Sequence, residues 1–218
     1  MTREELLQTA KPILFNTEMV RAILDGRKTV TRRCVKPQPK SILCYTFAGA
    51  NTGTWSYPND KAHEFWGDKY RLPDCITNED KKMVWNPPYN ADDILYVRET
   101  WHRYKKMVGK GEGCHIAEFY GYKATIANSE DANEPWKPSI HMPKEAARIF
   151  LKVKDVRVER LQDITDEQAE KEGCNDYTST ALGFCYIWYS TIKKSDLDTY
   201  GWDANPWVWV IEFERIEV

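Results

Sequence analysis

Phe15-Asn16-Thr17-Glu18-Met19-Val20-Arg21-Ala22-Ile23-Leu24-Asp25-Gly26-Arg27-Lys28-Thr29-Val30-Thr31-Arg32-Arg33 is the stretch on which the reading of this chain turns. Pro12 to Phe15 reads as a short strand, and Asn16 or Thr17 can cap a helix running near Glu18 to Leu24, with Met19, Val20, Ile23 and Leu24 on its apolar side. Asp25-Gly26 is a stop, because glycine takes the left-handed conformation that closes a helix. Arg27 to Arg33 then falls on the emerging turn and the strand after it. Alternation puts Lys28 with Val30 and Arg32, and Thr29 with Thr31. A bend after Gly26 can bring Lys28 and Thr31 together, which periodicity alone leaves open.

From Arg21 to Lys40 there are seven Lys and Arg against the single Asp25, in a chain whose formal net charge is only -2. Such a local excess suggests a site for a phosphate or another polar ligand rather than a property of the whole surface. Broad, nonspecific duplex binding is disfavoured by the acidic residues elsewhere. A length of 218 residues with 42% apolar content suits one sizeable domain, and nine Trp with twelve Tyr make it unusually aromatic. The start is polar and acidic and no apolar run is long enough to cross a bilayer, so a soluble cytoplasmic protein is expected, with no membrane partner. The six Cys include no Cys-x-x-Cys pair and the four His are scattered, so reduced thiols, no metal site and no cofactor are expected. No dinucleotide, P-loop, serine-elbow or His-Glu-x-x-His pattern occurs.

The rest of the chain fills in a mixed architecture. Residues 35–90, rich in Pro, Gly, Asn and Asp turns, read as an insertion of hairpins and ordered loops. Asp93 to Trp101 reads as a strand leading into a polar aromatic loop, and a further strand is predicted around Cys114 to Tyr122, so that 102–145 forms a second insertion. Ala147 to Leu161 has strand patterning with a bulge or bend at Lys154-Asp155. Thr165 and Gln168 fit a capping box for a short helix that Gly173 ends. A second helix is predicted within Ala181 to Ile192 from the spacing of Leu182, Cys185, Tyr186 and Tyr189, with the two tyrosines filling the core. Pro206 to Phe213 is a closing strand, with Trp207, Trp209 and Phe213 on one core-facing side. These elements favour a single α+β domain over 1–218, a small mixed β-barrel with surrounding helices and long insertions, over a regular βαβ fold.

The constellation with chemical potential joins Lys28 and Thr31 to Glu172, the carboxylate near the end of the capped helix. A lysine shielded from water has a lowered pKa and can accept a proton; Thr31 can then serve as nucleophile or hold the attacking water, and Glu172 can orient Lys28 or protonate a leaving amine. The competing reading is an exposed cationic turn and an unrelated salt bridge at a helix end.

Phe15 through Arg32, with Ile23-Leu24-Asp25-Gly26-Arg27-Lys28-Thr29-Val30-Thr31-Arg32 at its centre, resembles the ASCH family of PUA-like domains, which includes small bacterial N4-acetylcytidine amidohydrolases. The resemblance continues through Asp93 to Val97, Thr165 to Glu172 and Trp209 to Phe213, in the same order. It implies a PUA-like mixed barrel and places the family's proposed catalytic Lys, Thr and Glu on Lys28, Thr31 and Glu172. The chain is still more similar to longer ASCH-like proteins of phages and prophages, through Phe15 to Val20, Arg98-Glu99-Thr100-Trp101 and Lys137 to Pro143. The added material after Cys34 and between Trp101 and Ala146 separates it from the compact amidohydrolases.

That material supplies recognition candidates. Arg98, Trp101, Lys137, Ser139 and His141 can surround a nucleobase or nucleotide, and Glu99 can organise Arg98 or contact a base itself. Core packing for Trp101 and a structural hydrogen bond for His141 are the plainer alternatives. Arg27, Arg32 and Arg33 are candidate contacts to a phosphate or nucleic-acid backbone, against a solvated charged edge. Three functions follow: recognition of a modified pyrimidine nucleoside or nucleotide with amide hydrolysis, a noncatalytic module for single-stranded RNA or DNA, or a phage-associated adaptor with a protein partner.

Overall fold

The computed structural model describes residues 2–40, 44–47, 53–56, 77, 79, 83–125, 135–174 and 181–217. The chain opens with α1 (Arg3–Thr9), capped by a reciprocal Thr2 and Glu5 box, then β1 (Lys11–Leu14) and α2 (Thr17–Leu24). Asn16 caps α2 by accepting from the Met19 N–H at 2.9 Å, and Gly26 closes it at φ +75°. β2 (Val30–Cys34) follows, then a three-stranded antiparallel sheet of β3 (Cys44–Phe47), β4 (Gly53–Ser56) and β5 (Val84–Trp85) inside the expected 35–90 insertion. Much of that insertion lies outside the described residues.

β6 (Ile94–Arg98) leads directly into β7 (Trp101–Val108), where the sequence suggested a polar aromatic loop. β7 pairs with β8 (His115–Tyr122) in a two-stranded hairpin. Beyond Trp101 and His102 its residues are mostly exposed, so no burial pattern marks it in the sequence. β9 (Phe150–Arg160), α3 (Asp166–Lys171), α4 (Ala181–Thr191), α5 (Leu197–Tyr200) and β10 (Trp207–Ile216) complete the chain.

The main sheet has the order β1-β6-β9-β10-β2, antiparallel apart from the parallel β1 and β6 pair. It is not closed into a barrel by its ladder, since β1 and β2 remain its two outer strands. They are nevertheless linked at one end, where the Arg33 side chain on β2 donates to the Leu14 carbonyl on β1 at 2.9 Å. The interruption expected at Lys154-Asp155 is a bulge: Glu212 pairs with Asp155 and Phe213 with Val153, leaving Lys154 without a partner across the ladder.

Alternation along β10 builds two cores. Trp209, Ile211 and Phe213 join Phe15, Val20 and Ile23 under α2, while Val208 and Val210 join Ala169, Phe184 and Trp188 under α3 and α4. A third cluster seats Leu6 of α1 against Tyr96, Trp101, Met142 and Phe150. On α4 the buried side is Gly183, Phe184, Cys185 and Trp188, so the expected stripe is corrected: Leu182 and Tyr186 are 67% and 69% exposed. Tyr189 is half-buried and donates its hydroxyl to Asp203 at 2.6 Å.

Candidate functional site

The turn after α2 is tied to the end of α3 by backbone bonds. The Lys28 N–H donates to the Ala22 carbonyl at 3.0 Å, the Thr29 N–H donates to the Lys171 carbonyl at 2.9 Å, and Lys28 and Glu172 form an isolated antiparallel bridge. Gly173 makes this docking feasible. Its φ is +86°, and a Cβ there would lie 2.8 Å from the Ala22 Cβ and 3.0 Å from that of Lys28. A larger residue would push α3, and Glu172 with it, off the basic turn.

Lys28 and Glu172 are only 3% and 4% exposed. The Lys28 Nζ donates to Glu172 Oε2 at 2.7 Å, to the Glu172 carbonyl at 2.8 Å and to the Val30 carbonyl at 2.7 Å. Three acceptors around one ammonium engage all three of its protons. The other carboxylate oxygen of Glu172 accepts from Arg32 Nη1 at 3.1 Å, and Arg32 Nη2 reaches Gln168 at 2.7 Å. Burial lowers the Lys28 pKa from its ordinary value, and the adjacent Glu172 charge opposes that shift.

Thr31 is buried, and its Oγ1 accepts from Arg33 Nη1 at 3.0 Å. Arg33 also donates to the carbonyls of Arg32 and Leu14, and its guanidinium lies 5.3 Å from the Phe15 ring centre. Burial lowers the Arg33 pKa as well. β2 is an edge strand, so side chains from both of its faces border the space beside it. Lys28, on the turn before β2, and Thr31, on the strand itself, both border one cavity.

That cavity is a cleft of two parts. An inner recess of about 50 Å³ is bordered by Lys28, Thr31, Arg32, Arg33 and Glu172, with Phe184 and Trp188 among its apolar walls. A vestibule of about 420 Å³ shares Phe15, Asn16, Met19, Arg32, Arg33 and Trp188 with it and adds Lys36. The recess has room for one or two waters or a small acyl group, whereas the vestibule is in the size range of small-molecule sites, roughly 300–1,000 Å³.

Comparisons with protein-family models, with curated proteins and with solved structures gave no match.

Of the residues singled out from sequence, Lys28, Thr31, Arg32, Arg33 and Glu172 meet in this cleft. Arg27 does not border it: its guanidinium binds Asp25 at 2.9 Å and the Gly173 carbonyl at 3.2 Å, so it braces the turn from outside. The second group, Arg98, Glu99, Trp101, Lys137, Ser139 and His141, lies elsewhere and lines neither part. Glu99 is 1% exposed and takes both its bonds from Arg148, at 2.8 and 2.9 Å, rather than organising Arg98. Arg98 Nη2 donates to the Ile140 carbonyl. Trp101 is buried in the third core with the Lys137 ammonium 5.2 Å from its ring centre. Ser139 and His141 form a single 3₁₀ turn, half-buried and exposed respectively.

Gln168, Phe184, Trp188 and Arg148 were not marked by the sequence. Gln168 read only as a capping residue, Phe184 and Trp188 lie on an unmarked helix side, and Arg148 meets Glu99 across 49 residues. Among the described residues no group of three or more His, Cys, Asp and Glu is arranged to hold a metal ion, and no helix is long and apolar enough to cross a membrane.

Proposed function

We propose that this chain is an ASCH-type, PUA-like protein whose cleft takes a modified pyrimidine nucleoside or nucleotide and hydrolyses an N4-acetylcytidine-type amide. The observation that supports this reading is the convergence of Lys28, Glu172 and Thr31 around a recess of acyl size at the foot of a vestibule of nucleoside size. The link from Arg33 to Leu14 between the outer strands is also what a curled, barrel-like sheet requires.

The chemistry follows from the buried ion pair. Loss of one proton from Lys28 leaves a neutral amine held by the Glu172 carboxylate 2.7 Å away. Burial favours that loss, because it lowers the Lys28 pKa. The amine then takes a proton from water held by Thr31, or from the Thr31 hydroxyl itself, as the oxygen attacks the acetyl carbonyl. Arg33, already donating to Thr31, stands where the developing oxyanion gains stabilisation. Collapse breaks the C–N bond, and Lys28, oriented by Glu172, passes the proton it has taken to the departing cytosine amine. Attack by water gives acetate and cytidine directly; attack by Thr31 forms an ester that water then cleaves.

Release of acetate and cytidine from N4-acetylcytidine, its nucleotide or acetylated RNA tests the proposal. Lys28→Ala, Thr31→Val and Glu172→Gln are each expected to cost about a hundredfold or more in turnover. Absence of turnover by folded, ligand-binding protein would defeat it.

A second reading, noncatalytic recognition of a base in single-stranded RNA or DNA, is favoured by the full engagement of the Lys28 protons. Such a lysine serves well as a fixed strut. Binding that weakens with salt and survives replacement of Lys28 or Glu172, with no product formed, selects this reading.

A further inference from the structure

The charge of the cleft exceeds what hydrolysis of a neutral amide needs. Lys28, Arg32, Arg33 and Lys36 border its two parts, and Glu172 is the only carboxylate among the lining residues. Glu172 is already shared between Lys28 and Arg32, and Arg32 also meets Glu159, outside the lining, at 3.4 Å, which leaves Arg33 and Lys36 as the cations to be matched. Arg33 donates only to neutral oxygens, those of Thr31, Arg32 and Leu14, and no carboxylate pairs with it among the described residues. A guanidinium held at the mouth of a recess without a counter-ion is an anion site waiting for its anion.

Two further donors point the same way. Arg32 is 2% exposed, and its Nε–H has no acceptor among the described residues. Lys36, exposed and 4.6 Å from the Tyr200 ring centre, supplies a second cation on the outer side.

We infer that the vestibule binds a phosphate group between Arg33 and Lys36, so that the ligand of the cleft is a nucleotide, free or within a strand, rather than a bare nucleoside. This rests on the pyrimidine reading above for the base, but not for the phosphate. The spacing suits one ligand: the base and its acyl group enter the recess, and the sugar phosphate stays in the wider part where the cations outnumber the acids.

Calorimetric titration with N4-acetylcytidine, its 5′-monophosphate, a short single-stranded RNA carrying the same base, and inorganic phosphate tests this at low and high salt. The monophosphate or the RNA is expected to bind at least about tenfold more tightly than the nucleoside, with the advantage shrinking as salt rises. Arg33→Gln should abolish the advantage and Arg33→Lys should keep part of it. Lys36→Gln, at an exposed position, should reduce it severalfold. Preference for the monophosphate over the RNA marks a monoester ligand, and the reverse marks a phosphodiester; either supports the subsite. Equal affinity for nucleoside and both phosphorylated forms overturns the subsite and leaves the pyrimidine reading standing. Phosphate binding that depends on Arg33 without any pyrimidine binding keeps the subsite and removes the pyrimidine reading. Binding of none of the four, or an advantage untouched by both Arg33→Gln and Lys36→Gln, overturns the inference.

Discussion

Glu99 and Glu172 are both buried carboxylates facing arginine, at 1% and 4% exposure, yet they belong to different kinds of site. Glu99 gives both oxygens to a single guanidinium, and Arg148 is itself packed 4.1 Å from the Tyr122 ring centre and bonded to Thr125. The charges match one to one, and burial pushes the neighbouring Tyr122 hydroxyl up to about 12. Glu172 divides its oxygens between Lys28 and Arg32 and stands beside Arg33, which has no acid of its own. The first arrangement is complete without a ligand, while the second is short of negative charge and opens on a cavity. Surplus charge next to space, rather than burial of an ion pair as such, is what separates a binding site from a structural clamp.

The sharpest way to break that comparison is to remove each acid. Glu172→Ala strands the buried Lys28 ammonium and leaves Arg32 only Gln168 and a 3.4 Å contact to Glu159, and it is expected to cost about 3–5 kcal/mol in urea unfolding. Glu99→Ala leaves only Arg148, whose side chain is already 27% exposed and can rehydrate, so a smaller loss of about 1–3 kcal/mol is expected. Added phosphate should not rescue the Glu99 variant. Equal costs for the two acids would show that the cation excess at Glu172 carries no energetic consequence.

Two left-handed glycines allow a second comparison, of intermediate size. Gly26 and Gly173 have φ of +75° and +86°, but a Cβ on Gly26 would meet nothing within 4 Å, whereas one on Gly173 would strike Ala22 and Lys28. Gly26→Ala should therefore cost only the conformational penalty, about 1 kcal/mol. Gly173→Ala should cost about 2–3 kcal/mol, because displacement of α3 is added to the same penalty. Adding Ala22→Gly should recover only part of the steric cost, since the 3.0 Å approach to the Lys28 Cβ remains. If the recovered protein also regains turnover, Gly173 acts by placing Glu172 against Lys28.

The pH dependence sharpens the assignment of Lys28. Burial lowers its pKa below the ordinary 10.5 and the Glu172 charge opposes this. If neutral Lys28 is the base, turnover rises with pH and levels off before 10.5. Glu172→Gln removes the opposing charge, so the rising limb should move to lower pH even as the maximum rate falls. Stability has the same sign. Between the folded pKa and 10.5 the unfolded chain holds the extra proton, so the Lys28 contribution to stability grows as pH increases through that window. A rising limb that stays in place in Glu172→Gln would mean that another group is titrating.

How much of this was legible in the sequence depended on the reach of each signal. The Asn16 cap, the Thr165 and Gln168 box, the left-handed Gly26 and Gly173 and the bulge at Lys154 all depend on a few neighbouring residues, and all could be read directly. The meeting of Lys28 with Glu172 spans 144 residues and rested on the family resemblance rather than on any local pattern. The pairing of Glu99 with Arg148 left no sign at all, since either could equally bind a neighbour on the surface. β7 was hidden because a ribbon solvated on both faces needs no alternation.

α4 fails differently, and it carries the smallest prediction. Ala181-Leu182-Gly183-Phe184-Cys185-Tyr186-Ile187-Trp188-Tyr189 is apolar nearly all the way round, so its spacing fits several stripes and cannot choose among them. Tertiary contacts separate them: Trp188 Nε1 donates to the Tyr200 carbonyl, 12 residues on, at 2.8 Å, and Phe184 and Trp188 border the cleft. Leu182 and Tyr186 then face solvent. Leu182→Ser and Tyr186→Ser should each change stability by no more than about 0.5 kcal/mol and leave nucleotide affinity unaltered. A loss of affinity without a loss of stability in either variant would mean that ligand contacts extend over the outer face of α4, and the cleft bordered by Arg33 would then be only part of the binding surface.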